Sequence, residues 1–376
     1  MTAYWDTAAT TPADPRVAEL VVRLMTEEFG NAGSRTHERG AAALKQLSLA
    51  RRRIAAAAAA REDEVVFTSG ATEADNRAIL GLAAHGDAAG RRHVVSTEIE
   101  HKAVLEPLAR LGCRGFDVEL VPPGPDGAVD AGDVLSRVRP DTLLVSVMHA
   151  NNETGAVQPV GEIAAGLRGH EAFLHVDAAQ TFGKVDGVLA DPRVDLISAS
   201  SHKVFGPAGV GALIARRRGW TRPPLEPLIV GGGQERGLRP GTVPVPLAAG
   251  FGLAVEFAGA ERDVREKECL RRREEVLAAL AAAGAVVNGA ASGGLPHVLN
   301  VSFPGADGEA VMLAWRDLAM VSNGSACTSA SYEPSHVLSA MRLPQDRLRG
   351  AVRLSWWHGA EAVDWDEAAR RVAGLR

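Results

Sequence analysis

Lys203 stands in Ser200-Ser201-His202-Lys203, directly after the apolar run Leu196-Ile197-Ser198-Ala199 and before the loop Gly206-Pro207-Ala208-Gly209-Val210-Gly211. A lysine there can point its amine into a crevice, where desolvation lowers its pKa and leaves it neutral enough to form a Schiff base with an aldehyde. Alone, it reads as an ordinary turn lysine. Asp177 closes His175-Val176-Asp177, again after an apolar run. A carboxylate so placed can face the pyridinium nitrogen of a pyridoxal 5'-phosphate ring and keep it a good electron sink, or it can cap a helix starting at Ala178. Gln180, three residues on, suits either a capping box or a hydrogen bond to the ring hydroxyl.

Ser69-Gly70-Ala71-Thr72-Glu73 lies between a strand and a helical stretch. Its backbone N–H groups, at Ala71 among others, and the Thr72 hydroxyl could cradle a phosphate at a helix start. His101, shortly after another strand, could stack on a ring and move protons, or be structural. Cys327 sits in the small-residue segment Ser322-Asn323-Gly324-Ser325-Ala326-Cys327-Thr328-Ser329-Ala330-Ser331, whose backbone freedom would let a thiol reach a bound substrate. A thiolate able to approach histidine or cationic groups is the reactive form, whereas Cys113 and Cys269 lack such company and read as inert.

The elements that must hold these groups alternate. Short apolar runs at Glu64-Val65-Val66-Phe67-Thr68, His93-Val94-Val95-Ser96, Thr142-Leu143-Leu144-Val145-Ser146-Val147, Phe173-Leu174-His175-Val176 and 196–199 are separated by stretches long enough for helices. The pattern predicts an α/β fold with an open, mostly parallel sheet. Thr72, His101, Asn152, Asp177, Gln180 and Lys203 all follow these runs, where ligands bind in such sheets. A helix is expected over 41–60, a long charged helix from about Arg262, a strand at Val298-Leu299-Asn300-Val301-Ser302-Phe303, and loops at 122–127 and 222–244.

A chain of 376 residues exceeds the roughly 250 to 300 that one core usually serves, so two domains are expected. A net charge of -5 argues against direct nucleic-acid binding and for a small-molecule substrate. Arg51-Arg52-Arg53 and Arg216-Arg217-Arg218 read as solvated surface rather than as a nucleic-acid patch. Three cysteines without C-x-x-C spacing indicate neither a disulfide framework nor a metal site. The start lacks a signal peptide and no run reaches a membrane span, so a soluble cytoplasmic protein is expected.

The chain resembles the NifS/IscS-type cysteine desulfurases of the class V aminotransferase group. The resemblance rests on Asp6-Thr7-Ala8-Ala9-Thr10-Thr11-Pro12, 67–73, Glu100-His101, Met148-His149-Ala150-Asn151-Asn152-Glu153-Thr154-Gly155, 175–180, Ser201-His202-Lys203, Gly231-Gly232-Gly233-Gln234-Glu235 and Gly324-Ser325-Ala326-Cys327-Thr328-Ser329-Ala330. It implies the type I fold of pyridoxal-phosphate transferases. A large cofactor-binding domain, 15–258, would carry a mostly parallel seven-stranded sheet, and a smaller α/β domain, 1–14 and 259–376, the cysteine.

The resemblance further implies that Lys203 carries the cofactor, Asp177 faces the ring nitrogen, Gln180 meets the ring hydroxyl, and His101 stacks on the ring. Thr72, Ser200 and His202 match phosphate ligands, and Thr242 matches one reaching the other subunit of a homodimer. Asn152 would contact cofactor or substrate, and Arg353 would grip the substrate carboxylate bidentately. L-cysteine would give L-alanine and a persulfide on Cys327, the sulfur passing to an iron-sulfur scaffold or a phosphorothioation partner. A selenocysteine lyase or another class V aminotransferase are the alternatives. Asn31-Ala32-Gly33-Ser34, Thr7 and Ser355-Trp356-Trp357-His358 depart from the family pattern, and the two tryptophans could reshape the substrate pocket or an acceptor surface. With the sequence ending at Arg376, the extension by which housekeeping members meet their scaffold is expected to be absent, and the chain is similar to the desulfurases of DNA phosphorothioation systems.

Overall fold

The computed structural model describes residues 2–185, 187–290, 292–324 and 335–375. Among these, the strands in chain order are β1 (Ala3–Tyr4), β2 (Val65–Thr68), β3 (His93–Thr97), β4 (Asp117–Val121), β5 (Thr142–Met148), β6 (Phe173–Asp177), β7 (Leu196–Ser200), β8 (Gly211–Ala215), β9 (Val286–Asn288), β10 (Val298–Ser302), β11 (Ala319–Met320) and β12 (Ala351–Ser355). Seven form one sheet in the order β2-β8-β7-β6-β5-β3-β4. Only β8 runs against the others, pairing antiparallel with both β2 and β7. The inner strands β5, β6 and β7 are buried at every position, which is why their sequences read as continuous apolar runs rather than alternating ones.

Two strands of this seven-stranded sheet are absent from the apolar runs of the sequence. The edge strand β4 is a charged Asp-Val-Glu-Leu-Val segment in which two of the five residues are exposed and only Val121 is buried. The other, β8, begins inside the glycine loop expected at 206–211. Gly211 is glycine because a Cβ there would lie 2.6 Å from Gly70 Cα and 2.5 Å from the Ala199 carbonyl oxygen. This close approach seats β8 against the turn that follows β2. No helix starts at Ala178: the stretch after Asp177 is a series of turns. The helix expected over 41–60 occupies Glu38–Ala57 and packs on helix Val245–Ala260, and the charged helix spans Arg262–Ala281. Among the described residues, no helix is long and apolar enough to cross a membrane.

A second core joins the N-terminal strand to residues 269–372 around β9, β10 and β12. Its centre is aromatic. Trp5 lies 5.1 Å from Trp356 and 4.7 Å from Trp365, ring centroid to centroid, and Trp356 donates its indole N–H to the Cys269 carbonyl at 3.1 Å. The chain then crosses to the large sheet through Thr11. Its hydroxyl donates to the His202 carbonyl at 3.0 Å and accepts from the Phe205 N–H at 2.9 Å, tying the N-terminal segment to the turn that bears Lys203.

Trp356 is wholly buried, so truncating it removes packing that no other side chain can fill. Trp356→Ala is expected to cost about 3–5 kcal/mol, read as a loss of stability in urea unfolding.

Candidate active site

A cavity of about 280 Å³ opens beyond the C-terminal ends of the parallel strands. It spans the ends of β3, β5, β6 and β7 together with the turn after β2, the strand at the other edge of the sheet, and such strand ends are where ligands bind in α/β sheets. After β2, Ala71 and Thr72 line it; after β3, His101; after β5, Asn152. Asp177 and Gln180 enter from β6, and Ser200, His202 and Lys203 from β7.

Helix Ala71–Leu80 begins at Gly70 with no side-chain cap, so its first N–H groups are left for another acceptor. Asp177 is buried and its Oδ1 accepts from the Ala179 N–H at 2.9 Å. Burial first, and the neighbouring Asp75 second, push its carboxyl up to about 6. Gln180 donates its amide to the Ala8 carbonyl at 2.9 Å, while its Oε1 is buried without a hydrogen-bond partner among the described residues. His101 accepts the Ala103 N–H at Nδ1, 3.1 Å away, so the neutral ring carries its proton on Nε2. Burial, then the Lys203 charge, hold its pKa below the usual histidine range. His202 is anchored by Thr10 at 3.1 Å and held near 4, chiefly by burial.

Arg353 stands on β12, outside the cavity lining but one contact from it: its Nη1 donates to the Asn152 carbonyl at 3.2 Å. Its Nη2 meets Asp6 at 2.6 Å, and its buried Nε has no partner among the described residues. Thr242 is exposed and does not line this cavity. Cys327 lies outside the described residues. A lysine, a buried carboxylate, an uncapped helix start and an unpaired amide oxygen in one cavity form the donor set that a phosphorylated aromatic aldehyde requires, and the site fits pyridoxal phosphate.

Residues 3–364 match the family model of class-V aminotransferases. A cysteine desulfurase IscS of Anaeromyxobacter dehalogenans is 44% identical over 366 residues, 96% of this chain and 90% of the relative. The chain is a pyridoxal-phosphate-dependent cysteine desulfurase of the class-V aminotransferase family. Among solved structures, DndA from Streptomyces lividans matches this desulfurase with a TM-score of 0.83 and 49% identity, covering 94% of this chain and 99% of that one. A NifS-like protein matches with a TM-score of 0.90 and 35% identity, covering 100% and 99%.

Several expectations for the desulfurase change with the structure. Neither Trp356 nor Trp357 reaches the cofactor cavity; both line a separate cavity of about 320 Å³ with Lys184, Phe205 and His297. The arginine clusters are not simply solvated. Arg51 pairs with Glu235 at 2.6 Å, Arg218 with Asp195 at 2.7 Å, and the buried Arg216 donates to the carbonyls of Ala58 and Leu189. Burial pushes the Cys269 thiol up to about 12, which makes it a poor nucleophile, and Cys113 is exposed at a helix end.

Asp75 is the residue of the desulfurase cavity that the sequence reading missed. It sits three positions after Thr72 on the same helix, which places the two on one face. His175 Nε2 lies 3.4 Å from its carboxylate and 3.0 Å from Ser198 Oγ. Burial raises the Asp75 carboxyl to about 7. Between its unfolded value near 4 and its folded value, the folded protein holds a proton that the unfolded chain has released. The associated stability is complete below about pH 4 and declines as pH rises through 7. His175, held down to about 4 by burial, contributes the opposite slope between about pH 4 and 6.5. Asp75→Asn should therefore lessen the fall in thermal midpoint between about pH 5 and about pH 8 relative to wild type, measured by calorimetry on the cofactor-free enzyme.

Proposed function

We propose that Lys203 carries the cofactor and that Cys327 takes the sulfur of L-cysteine as a persulfide, releasing L-alanine. The observation that carries this reading is the convergence of Lys203, Asp177 and Gln180 on one cavity, with Arg353 one contact behind its wall. Asp177 would face the ring nitrogen, and Gln180 Oε1, left open by the anchoring of its amide to Ala8, would accept from the ring hydroxyl. The N–H groups at Ala71 and Thr72, with the Thr72 and Ser200 hydroxyls and His202, receive the phosphate. When bound, the cofactor supplies an electron sink for negative charge developing at the substrate Cα.

The side chains divide the remaining work. Arg353 exchanges Asp6 for the substrate carboxylate, using the Nε that has no partner among the described residues. Lys203 Nζ would take the Cα proton, and His101 would lie against the ring and offer its Nε2 proton to the reacting groups. The Cys327 thiolate then attacks the substrate sulfur. A sulfur–sulfur bond forms, the carbon–sulfur bond breaks, and its electron pair returns to the carbon skeleton, which is protonated and leaves as alanine.

The exposed position of Thr242 supports a homodimer in which it reaches the partner's phosphate site. The two cores support a division into 15–258 and the remainder. For the sulfur acceptor we favour a phosphorothioation partner, on the 49% identity to DndA; the 44% identity to IscS supports an iron-sulfur scaffold as the second reading.

Alanine and sulfide release from cysteine with a reductant tests the roles. Cys327→Ala should lose both products while keeping the cofactor's visible absorbance, and unchanged release would remove Cys327 from the mechanism. Arg353→Lys, which loses the planar fork, should raise the KM for cysteine by on the order of tenfold, and an unchanged KM would exclude it as the carboxylate binder.

A further inference from the structure

The segment that carries Cys327 leaves the described structure at Gly324 and rejoins it at Ser335, and both ends rest on one buried side chain. Ser335 Oγ donates to Glu153 Oε2 at 2.5 Å. Gly324 has φ +85°, and a Cβ there would lie 2.9 Å from the same oxygen. The approach of backbone to carboxyl is thus close enough to require glycine.

Glu153 is itself held rigidly. Its N–H donates to Asn151 Oδ1 at 2.8 Å, and its carbonyl accepts from Asn300 Nδ2 at 3.3 Å. The residue before it, Asn152, lines the cofactor cavity and accepts from Arg353. The entering stem is also fixed to Arg353 directly, because Ser322 and Arg353 exchange backbone hydrogen bonds of 3.2 and 2.6 Å. One short stretch, 151–153, therefore touches the cavity with one residue and both stems of the cysteine segment with the next.

We propose that Glu153 is a positioning residue that pins both stems of the Cys327 segment to the substrate-binding wall and so sets where the thiol can reach. The inference rests on the reading that Cys327 is the sulfur acceptor. Glu153 does not line the cofactor cavity, so its loss acts on sulfur transfer and leaves cysteine binding intact. Glutamine keeps an oxygen acceptor for Ser335 at the same place. Gly324→Ala disturbs the same contact from the other side.

The test uses the cofactor-loaded enzyme. Two quantities are followed: the rate at which sulfur appears on Cys327 in a single turnover, and the cysteine concentration that half-saturates the change in cofactor absorbance. Glu153→Ala should slow sulfur transfer about 10- to 100-fold with half-saturation changed less than about twofold, since misplacement of a reacting group by about 1 Å has effects of that size. Glu153→Gln should recover most of the rate, and Gly324→Ala should reproduce the defect, which keeps the proposal testable where Glu153→Ala does not fold. The proposal is overturned if Glu153→Ala transfers sulfur within about twofold of wild type, if the glutamine variant is no better than the alanine one, or if half-saturation shifts in parallel with the rate. Cys327→Ala separates the two claims. Sulfide release that survives in it defeats the reading of Cys327, whereas an inactive Cys327→Ala beside a fully active Glu153→Ala defeats only the positioning role.

Discussion

A carboxylate kept away from water beside a second carboxylate and a lysine is the constraint around which this protein is organised. Asp177 and Asp75 both line the cavity, burial raises the energy of charge on each, and Asp75 raises it further on Asp177. In a medium of low polarity that arrangement is unfavourable until a cation arrives beside it. In the role proposed for Asp177, a protonated ring nitrogen would be such a cation, and the carboxylate is held ready for it because its Oδ1 is already committed to the Ala179 N–H. The sheet exists to make this arrangement possible. Only strands buried on both faces, as β5, β6 and β7 are, can deliver polar groups at their ends into a space from which bulk water is displaced.

The second core serves the same site from the other side. Its tryptophan cluster holds β12, and β12 presents Arg353 to the wall formed by Asn152. The N-terminal segment stitches the two halves together, since Trp5 belongs to the second core, Ala8 accepts from Gln180, and Thr11 bonds the turn that carries Lys203. Arg353, Gln180 and the lysine turn are thus linked through one short stretch of chain, 5–11.

Much of this was legible in the sequence, for a physical reason. Polar residues that follow apolar runs must lie at strand ends in a parallel sheet, so the periodicity that announced the strands also placed Thr72, His101, Asn152, Asp177 and Lys203 together. The charged edge strand β4 was hidden because an exposed strand carries no buried run, and β8 because glycine, read as loop, was needed for close packing on Gly70. Asp75, inside a helix, has no local mark of a site residue; only its spacing from Thr72 could have found it. Trp356 and Trp357 stand three and four positions after Arg353, but β12 ends at Ser355, so the chain carries them into the second core and its own cavity. Glu153 looked like part of a motif, and its contacts with Gly324 and Ser335 emerge only when residues nearly half the chain apart are brought together.

The central claim is that one thiol, Cys327, receives the sulfur that this cavity loosens from cysteine. It is tested most directly by treating the cofactor-loaded enzyme with an equimolar amount of cysteine, without reductant, and mapping peptides by mass spectrometry. The account predicts the added mass of one sulfur atom on the Cys327 peptide and none on those of Cys113 and Cys269. An adduct on either of those, or alanine formed with no adduct at all, would contradict it.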